Sequence, residues 1–77
     1  MNIFCERLKI LRLEKKLTQK QAGEMLGIKE NTYNEYETGT KNNPTLKTAT
    51  KIADLFNTSI DYLAGRSDIR YSERENK

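Results

Sequence analysis

A single glycine at position 27 divides the stretch from Thr18 to Gly39, TQKQAGEMLGIKENTYNEYETG, into two pieces that each carry helix signals. Thr18 followed three residues later by Gln21 is the pattern of a reciprocal capping box, so a helix is expected from Gln19 to about Leu26. Gly27 then supplies the positive φ that a left-handed helix end requires, and Ile28 closes the turn against the core. The second helix is expected to start near Lys29 or Glu30 and to stop at Gly39, with Tyr33 and Tyr36 at helical spacing on one side. That spacing leaves Lys29, Glu30, Asn31, Asn34 and Glu35 facing outward. Neither piece is long enough to be stable alone, so the rest of the chain must supply the surface on which both pack.

The flanking sequence supplies three more helices. Phe4, Leu8 and Leu11 form an apolar stripe that predicts a first helix over roughly Ile3 to Lys15, whose Lys15-Lys16 end suits the negative pole of its dipole. Ile10 and Leu13 fall off that stripe and are either partly exposed or help to bury a partner. Thr40-Lys41-Asn42-Asn43-Pro44 is a polar linker, after which Thr45 caps a fourth helix with Leu46, Ala49, Ile52, Ala53 and Phe56 on its apolar face. Asn57-Thr58 turns the chain, and Ser59 caps a short fifth helix that ends at Gly65, with Ile60 and Leu63 closing the bottom of the core. The expected fold is all-α, a compact arrangement of five helices in which helices 2 and 3 form a helix-turn-helix.

Composition excludes most other classes. Seventy-seven residues allow one small domain. The longest apolar run is far too short for a bilayer, and Glu6 and Arg7 interrupt any secretory h-region, so a cytoplasmic protein is expected. Cys5 is the lone cysteine and histidine is absent, which removes intramolecular disulfides, cysteine zinc clusters, histidine metal sites and the commonest nucleophilic constellations. Neither enzymatic activity nor a cofactor is expected, and Cys5 reads as a small buried apolar residue. The formal charge of +3 is unevenly spread: residues 1–20 carry a balance of +4 and residues 21–39 a balance of −3. Attraction to a polyanion would therefore come from the flanks of helix 3 rather than from the helix itself.

The residues carry a resemblance in series: Leu8, Leu11 and Arg12, then Leu17-Thr18-Gln19, Leu26-Gly27-Ile28 and Tyr36-Glu37-Thr38-Gly39. It continues through Pro44-Thr45-Leu46, Ile52-Ala53 and Ser59-Ile60-Asp61-Tyr62-Leu63 with Gly65. Over roughly residues 3 to 66 the chain resembles the helix-turn-helix domains of the phage lambda and Cro repressor type, also called Xre-type regulators. The resemblance implies a DNA-binding domain over residues 1–66, followed by a charged tail, 67–77, that extends helix 5 or is disordered. Polar contacts to DNA are implied for Gln19, with Lys20 beside it, at a phosphate or a nearby base, and for Lys29, Glu30, Asn31, Asn34 and Glu35 at the reading face. Thr40, Lys41 and Asn43 of the linker are implied to lie along the phosphate backbone. Asparagine suits adenine N6 and N7, lysine suits guanine O6 and N7, and glutamate accepts from cytosine N4.

The same resemblance implies that Arg12 and Glu37 pair to tie the first helix to the end of the third, and that two copies associate through helix 5 and its flanks, where Leu55, Tyr62, Ala64, Ile69 and Tyr71 are apolar and unassigned and Ile60 lies among them. For Tyr62 the opposing expectation is that it folds back on its own core. The implied function is sequence-specific binding of a palindromic double-stranded operator as a homodimer, most often as a repressor of prophage, restriction-modification or chromosomal type. No small-molecule effector and no membrane partner is implied. A competing class is a protein-interaction module, such as an antitoxin whose acidic helix 3 contacts a basic toxin. Ala22 and Gly23 stand where the family has leucine and alanine, and Tyr33 where it has isoleucine or valine. The larger ring is expected to fill the space left at Ala22, with its hydroxyl reaching the surface.

Overall fold

Helix-capping chemistry accounts for most of the element boundaries in the computed structural model, in which residues 3–40 and 44–69 are described. The helices are α1 (Ile3–Glu14), α2 (Gln19–Leu26), α3 (Glu30–Thr38), α4 (Leu46–Leu55) and α5 (Ile60–Ala64), with no strand among the described residues. At the start of α2 the capping box is complete: the Gln21 amide donates to Thr18 Oγ1 at 3.0 Å, and the Thr18 amide donates to Gln21 Oε1 at 2.9 Å. Gly27 ends that helix in the left-handed region, at φ 75°, and the Ile28 amide returns to the Gly23 carbonyl at 2.9 Å. Thr45 and Ser59 cap α4 and α5 in the same way, accepting from the amides of Thr48 and Tyr62. Two further ends use residues other than glycine, since Lys16 (φ 58°) and Asn57 (φ 52°) are left-handed after α1 and α4.

The core gathers one apolar face from every helix. Phe4, Leu8 and Leu11 of α1 meet Ala22 and Leu26 of α2, Tyr33 and Tyr36 of α3, Ile52 and Ala53 of α4 with Phe56 at its end, and Leu63 of α5. Phe4 and Tyr36 contact edge to face, with ring centroids 6.1 Å apart and planes at 89°. Because α1 packs against both α3 and α5 while α2 bridges α3 and α4, α3 is held at the surface with one side buried and the other free. Gly23 is explained by proximity: a Cβ there would lie 3.1 Å from the Ile28 carbonyl oxygen, so its absence lets α2 approach the turn it leads into.

Several expectations are corrected. Helix 1 ends at Glu14 rather than Lys15. Leu46, assigned to the apolar face of α4, is 74% exposed. It is the first helical residue, where a side chain tilted toward the helix start has no preceding turn to cover, while Ile52, Ala53 and Phe56 are buried. The Tyr33 hydroxyl does not reach the surface, because the whole side chain is buried. Ile10 and Leu13, by contrast, are about half exposed, as expected of residues off the apolar stripe of α1. Helix 5 does not extend past Ala64: Gly65 turns left-handed, at φ 81°, and residues 66–69 are non-helical.

Instead of extending the helix, those residues fold back onto α1. Nη1 of Arg7 donates to the carbonyls of Tyr62 (2.6 Å) and Ser67 (2.8 Å), and Nη2 reaches Asp68 Oδ1 at 2.9 Å. The same guanidinium stacks over the Tyr62 ring, 4.0 Å from its centroid. Nothing local in the sequence flags this clamp, since its partners lie 55 to 61 residues away.

Candidate nucleic-acid interface

The free side of α3 follows from its buried side. Tyr33, Tyr36 and Glu37 face inward, so Asn31, Asn34 and Thr38 fall on the free side, and Glu30, four residues before Asn34, is exposed as the first residue of the helix. Lys29, the N-cap, is exposed, and its ammonium, which only donates, makes no capping bond. Glu35 is only half exposed, at the edge of this row rather than on it. Thr38 was not among the expected contacts. Its four-residue register with Glu30 and Asn34 is the sequence signal that would have found it, and its hydroxyl lies 3.2 Å from that of exposed Thr40. Lys20 is exposed on the first turn of α2. Lys41 and Asn43 lie outside the described residues, as does Tyr71.

Behind the row, a buried ion pair sets the position of α3 relative to α1. Nε of Arg12 donates to Glu37 Oε2 at 2.7 Å and Nη2 to Oε1 at 3.2 Å, while Nη1 satisfies the Leu17 carbonyl at 2.8 Å. The two side chains are 11% and 3% exposed. Gln19, half buried at the start of α2, donates its Nε2 to the same Oε1 of Glu37 at 3.2 Å. Three helices therefore converge on one carboxylate. Burial alone would raise the Glu37 pKa, but the hydrogen bonds it accepts, from Arg12 foremost, outweigh that and hold it below the ordinary carboxylate range. The Arg12 guanidinium is correspondingly raised, mainly by its hydrogen bond to Glu37. Tyr33 lies against this pair. Burial first, then the neighbouring Glu37 charge, pushes its phenol far above the usual value, although its hydroxyl closes no hydrogen bond in good geometry.

The surface expected to receive a second copy is mixed. Leu55, Ile60 and Tyr62 are half buried against their own core, with Tyr62 under the Arg7 guanidinium, whereas Ala64 and Ile69 are exposed, Ile69 at 68%. Among the described residues no group of three or more His, Cys, Asp or Glu side chains is arranged to hold a metal ion, and no helix is long and apolar enough to cross a membrane. Cys5 is buried.

Comparison with known proteins gives a consistent picture. The profile of a helix-turn-helix family matches residues 8–63. The chain is 38% identical over 66 residues to an uncharacterized HTH-type transcriptional regulator, YobD, of Bacillus subtilis (strain 168), covering 86% of this chain and 58% of that one. It is 32% identical over 72 residues to the transcriptional repressor RstR of the cryptic phage CTXphi in Vibrio cholerae, covering 94% of this chain and 64% of the repressor. The chain thus spans about 56 to 65% of the length of the first few curated relatives it matches. In fold it is similar to the N-terminal DNA-binding domain of SinR from Bacillus subtilis, with a TM-score of 0.73 at 21% identity, covering 79% of this chain and 88% of that domain.

Proposed function

The chain belongs to the helix-turn-helix family of Xre, Cro and CI type, and from that membership we propose that it binds double-stranded DNA sequence-specifically and regulates transcription, acting as a repressor by occupying an operator. The observation that carries this reading is the row Glu30, Asn31, Asn34 and Thr38, polar and exposed on a helix whose inner face is fixed by the Arg12–Glu37 pair. A helix presented in this way fits the major groove, and each of its side chains matches a base edge by donor and acceptor type.

A single α3 offers too few base contacts for a unique site, since each good bidentate pair discriminates by about 1 to 3 kcal/mol. Two copies related by a two-fold axis would double that number and place their recognition helices about 34 Å apart on a palindrome. In this reading Gln19, Lys20 and Lys29 flank the row, with Thr40, Lys41 and Asn43 along the backbone of the duplex, and the exposed Ala64 and Ile69 belong to the surface between copies. The names of the relatives, transcriptional regulators and a phage repressor, support the regulatory role.

Selection of bound duplexes from a random pool, followed by titration of the enriched sequence at several salt concentrations, tests this. Enrichment of a palindrome with half-sites one helical turn apart is expected. Absence of any enriched sequence, with weak binding that disappears at modest salt, would reject DNA reading and favour a protein partner for the acidic helix.

A further inference from the structure

We infer that the chain carries a head-to-tail contact with a second copy of itself, in which the outer side of α1 of one copy docks into an open groove between α2 and α4 of the next. The groove measures about 520 Å³ and is lined by Glu24, Met25, Leu26 and Gly27 at the end of α2 and by Lys51, Asp54 and Leu55 of α4. Met25 is 59% exposed and Leu55 half buried, while Glu24, Lys51 and Asp54 are exposed charges around them. A small-molecule site would gather convergent polar groups in a closed cavity. Here the polar groups are on the rim and the apolar part is open, which suits side chains of another protein surface.

Charge identifies the occupant. Ile10 and Leu13, three residues apart and so on one side of α1, are both about half exposed. Over residues 9–16 the exposed charges are Lys9, Lys15 and Lys16 against Glu14, three cations to one anion, whereas the groove presents two anions to one cation. The apolar centres match and the rims are opposite in sign. Neither patch matches itself, because α1 against α1 would set lysines against lysines and groove against groove carboxylates against carboxylates. Each copy therefore offers α1 to one neighbour and its groove to another, and such a contact builds rings or open chains rather than a closed pair. Its small area makes it weak, and its charged rim makes it sensitive to salt. None of these residues belongs to the α3 row, and the contact is separate from the surface that carries Ala64 and Ile69.

Sedimentation equilibrium of the native chain up to about 1 mM is the first test. The mean mass should rise past that of a pair and fall back as salt is increased. Leu13→Gln and Met25→Gln alter exposed side chains, so circular dichroism should match the native chain, and each should weaken the association about tenfold. In a second test, Leu13→Cys and Met25→Cys chains are mixed under mild oxidation. The mixture should give a disulfide-linked pair and neither variant alone should, since Cys5 is buried. The mixed product should persist when Ile69→Asp is added to both chains, which separates this contact from the one proposed at Ala64 and Ile69. A mass that never exceeds a pair would overturn the inference, and so would absence of the mixed product. A product formed equally well by either cysteine variant alone would also overturn it, because that marks a self-matching contact.

Discussion

Arg7 and Arg12 stand five residues apart on α1 and fasten it to different regions of the molecule by different chemistry. Arg12 meets a carboxylate that is itself buried, and the pair is closed on both oxygens. Arg7 satisfies two backbone carbonyls at the exit of α5 and only then an aspartate whose side chain is 98% exposed. The first arrangement has one geometry in which its charges are matched, so it fixes the register of α3 against α1. The second resembles a helix C-cap supplied from a distance, tolerant of what its surface partner does. The end of the domain proposed to read DNA is thus the end held by the less forgiving contact.

Breaking the buried pair from one side should show the largest effect. Glu37→Ala strands a mostly buried guanidinium and should cost about 3 kcal/mol in urea unfolding, a large part of what a domain of this size has. Arg7→Met should cost about 2 kcal/mol, because the Tyr62 and Ser67 carbonyls lose a charged donor but can partly turn to water. The two ends can also be compared through their glycines. Gly27→Ala meets open space and should cost about 1 kcal/mol of left-handed strain, whereas Gly65→Ala adds a collision with the Ile3 side chain and should cost more.

Acid separates the ends by a smaller margin. The folded Glu37 pKa lies below that of an unfolded glutamate, so its contribution is complete above about 4.3 and is lost as pH falls through the folded value. Replacing both Arg12 and Glu37 by methionine should therefore flatten the decline in urea midpoint below pH 4, and an unchanged decline would assign it to other groups. Smallest of all, Asp68→Asn should leave thermal unfolding unchanged, since an ion pair to so exposed a carboxylate is largely screened. A clear loss there would mean that the clamp at the α5 end depends on charge after all.

What the sequence made legible follows the range of the interactions. Caps act over three residues, so Thr18 with Gln21, Gly27, Thr45, Ser59 and Gly65 marked the helix boundaries to within a residue or so. The outward row of α3 was legible as the complement of Tyr33 and Tyr36, whereas Thr38, the last helical residue before the Gly39 cap, reads as part of the helix end rather than of the row. The Arg7 clamp was invisible, because an arginine that seeks carbonyls leaves no partner residue type to search for. Leu46 was misassigned because periodicity ignores the tilt of side chains toward the helix start. The Tyr33 hydroxyl was misplaced because a phenol is expected to find water unless a buried charged pair and its packing close it off.

That closed-off phenol has a spectroscopic consequence. The chain has four tyrosines and no tryptophan, so ultraviolet absorbance and emission come chiefly from phenols. Folding keeps the Tyr33 proton far above the usual range, whereas in the unfolded chain it is released near 10, so native stability begins to erode as pH rises past that value. In an alkaline titration the phenolate band of Tyr33 should appear together with the loss of helical circular dichroism, in one step, making a single side chain between α1 and α3 an intrinsic dye for whether the two helices are still joined.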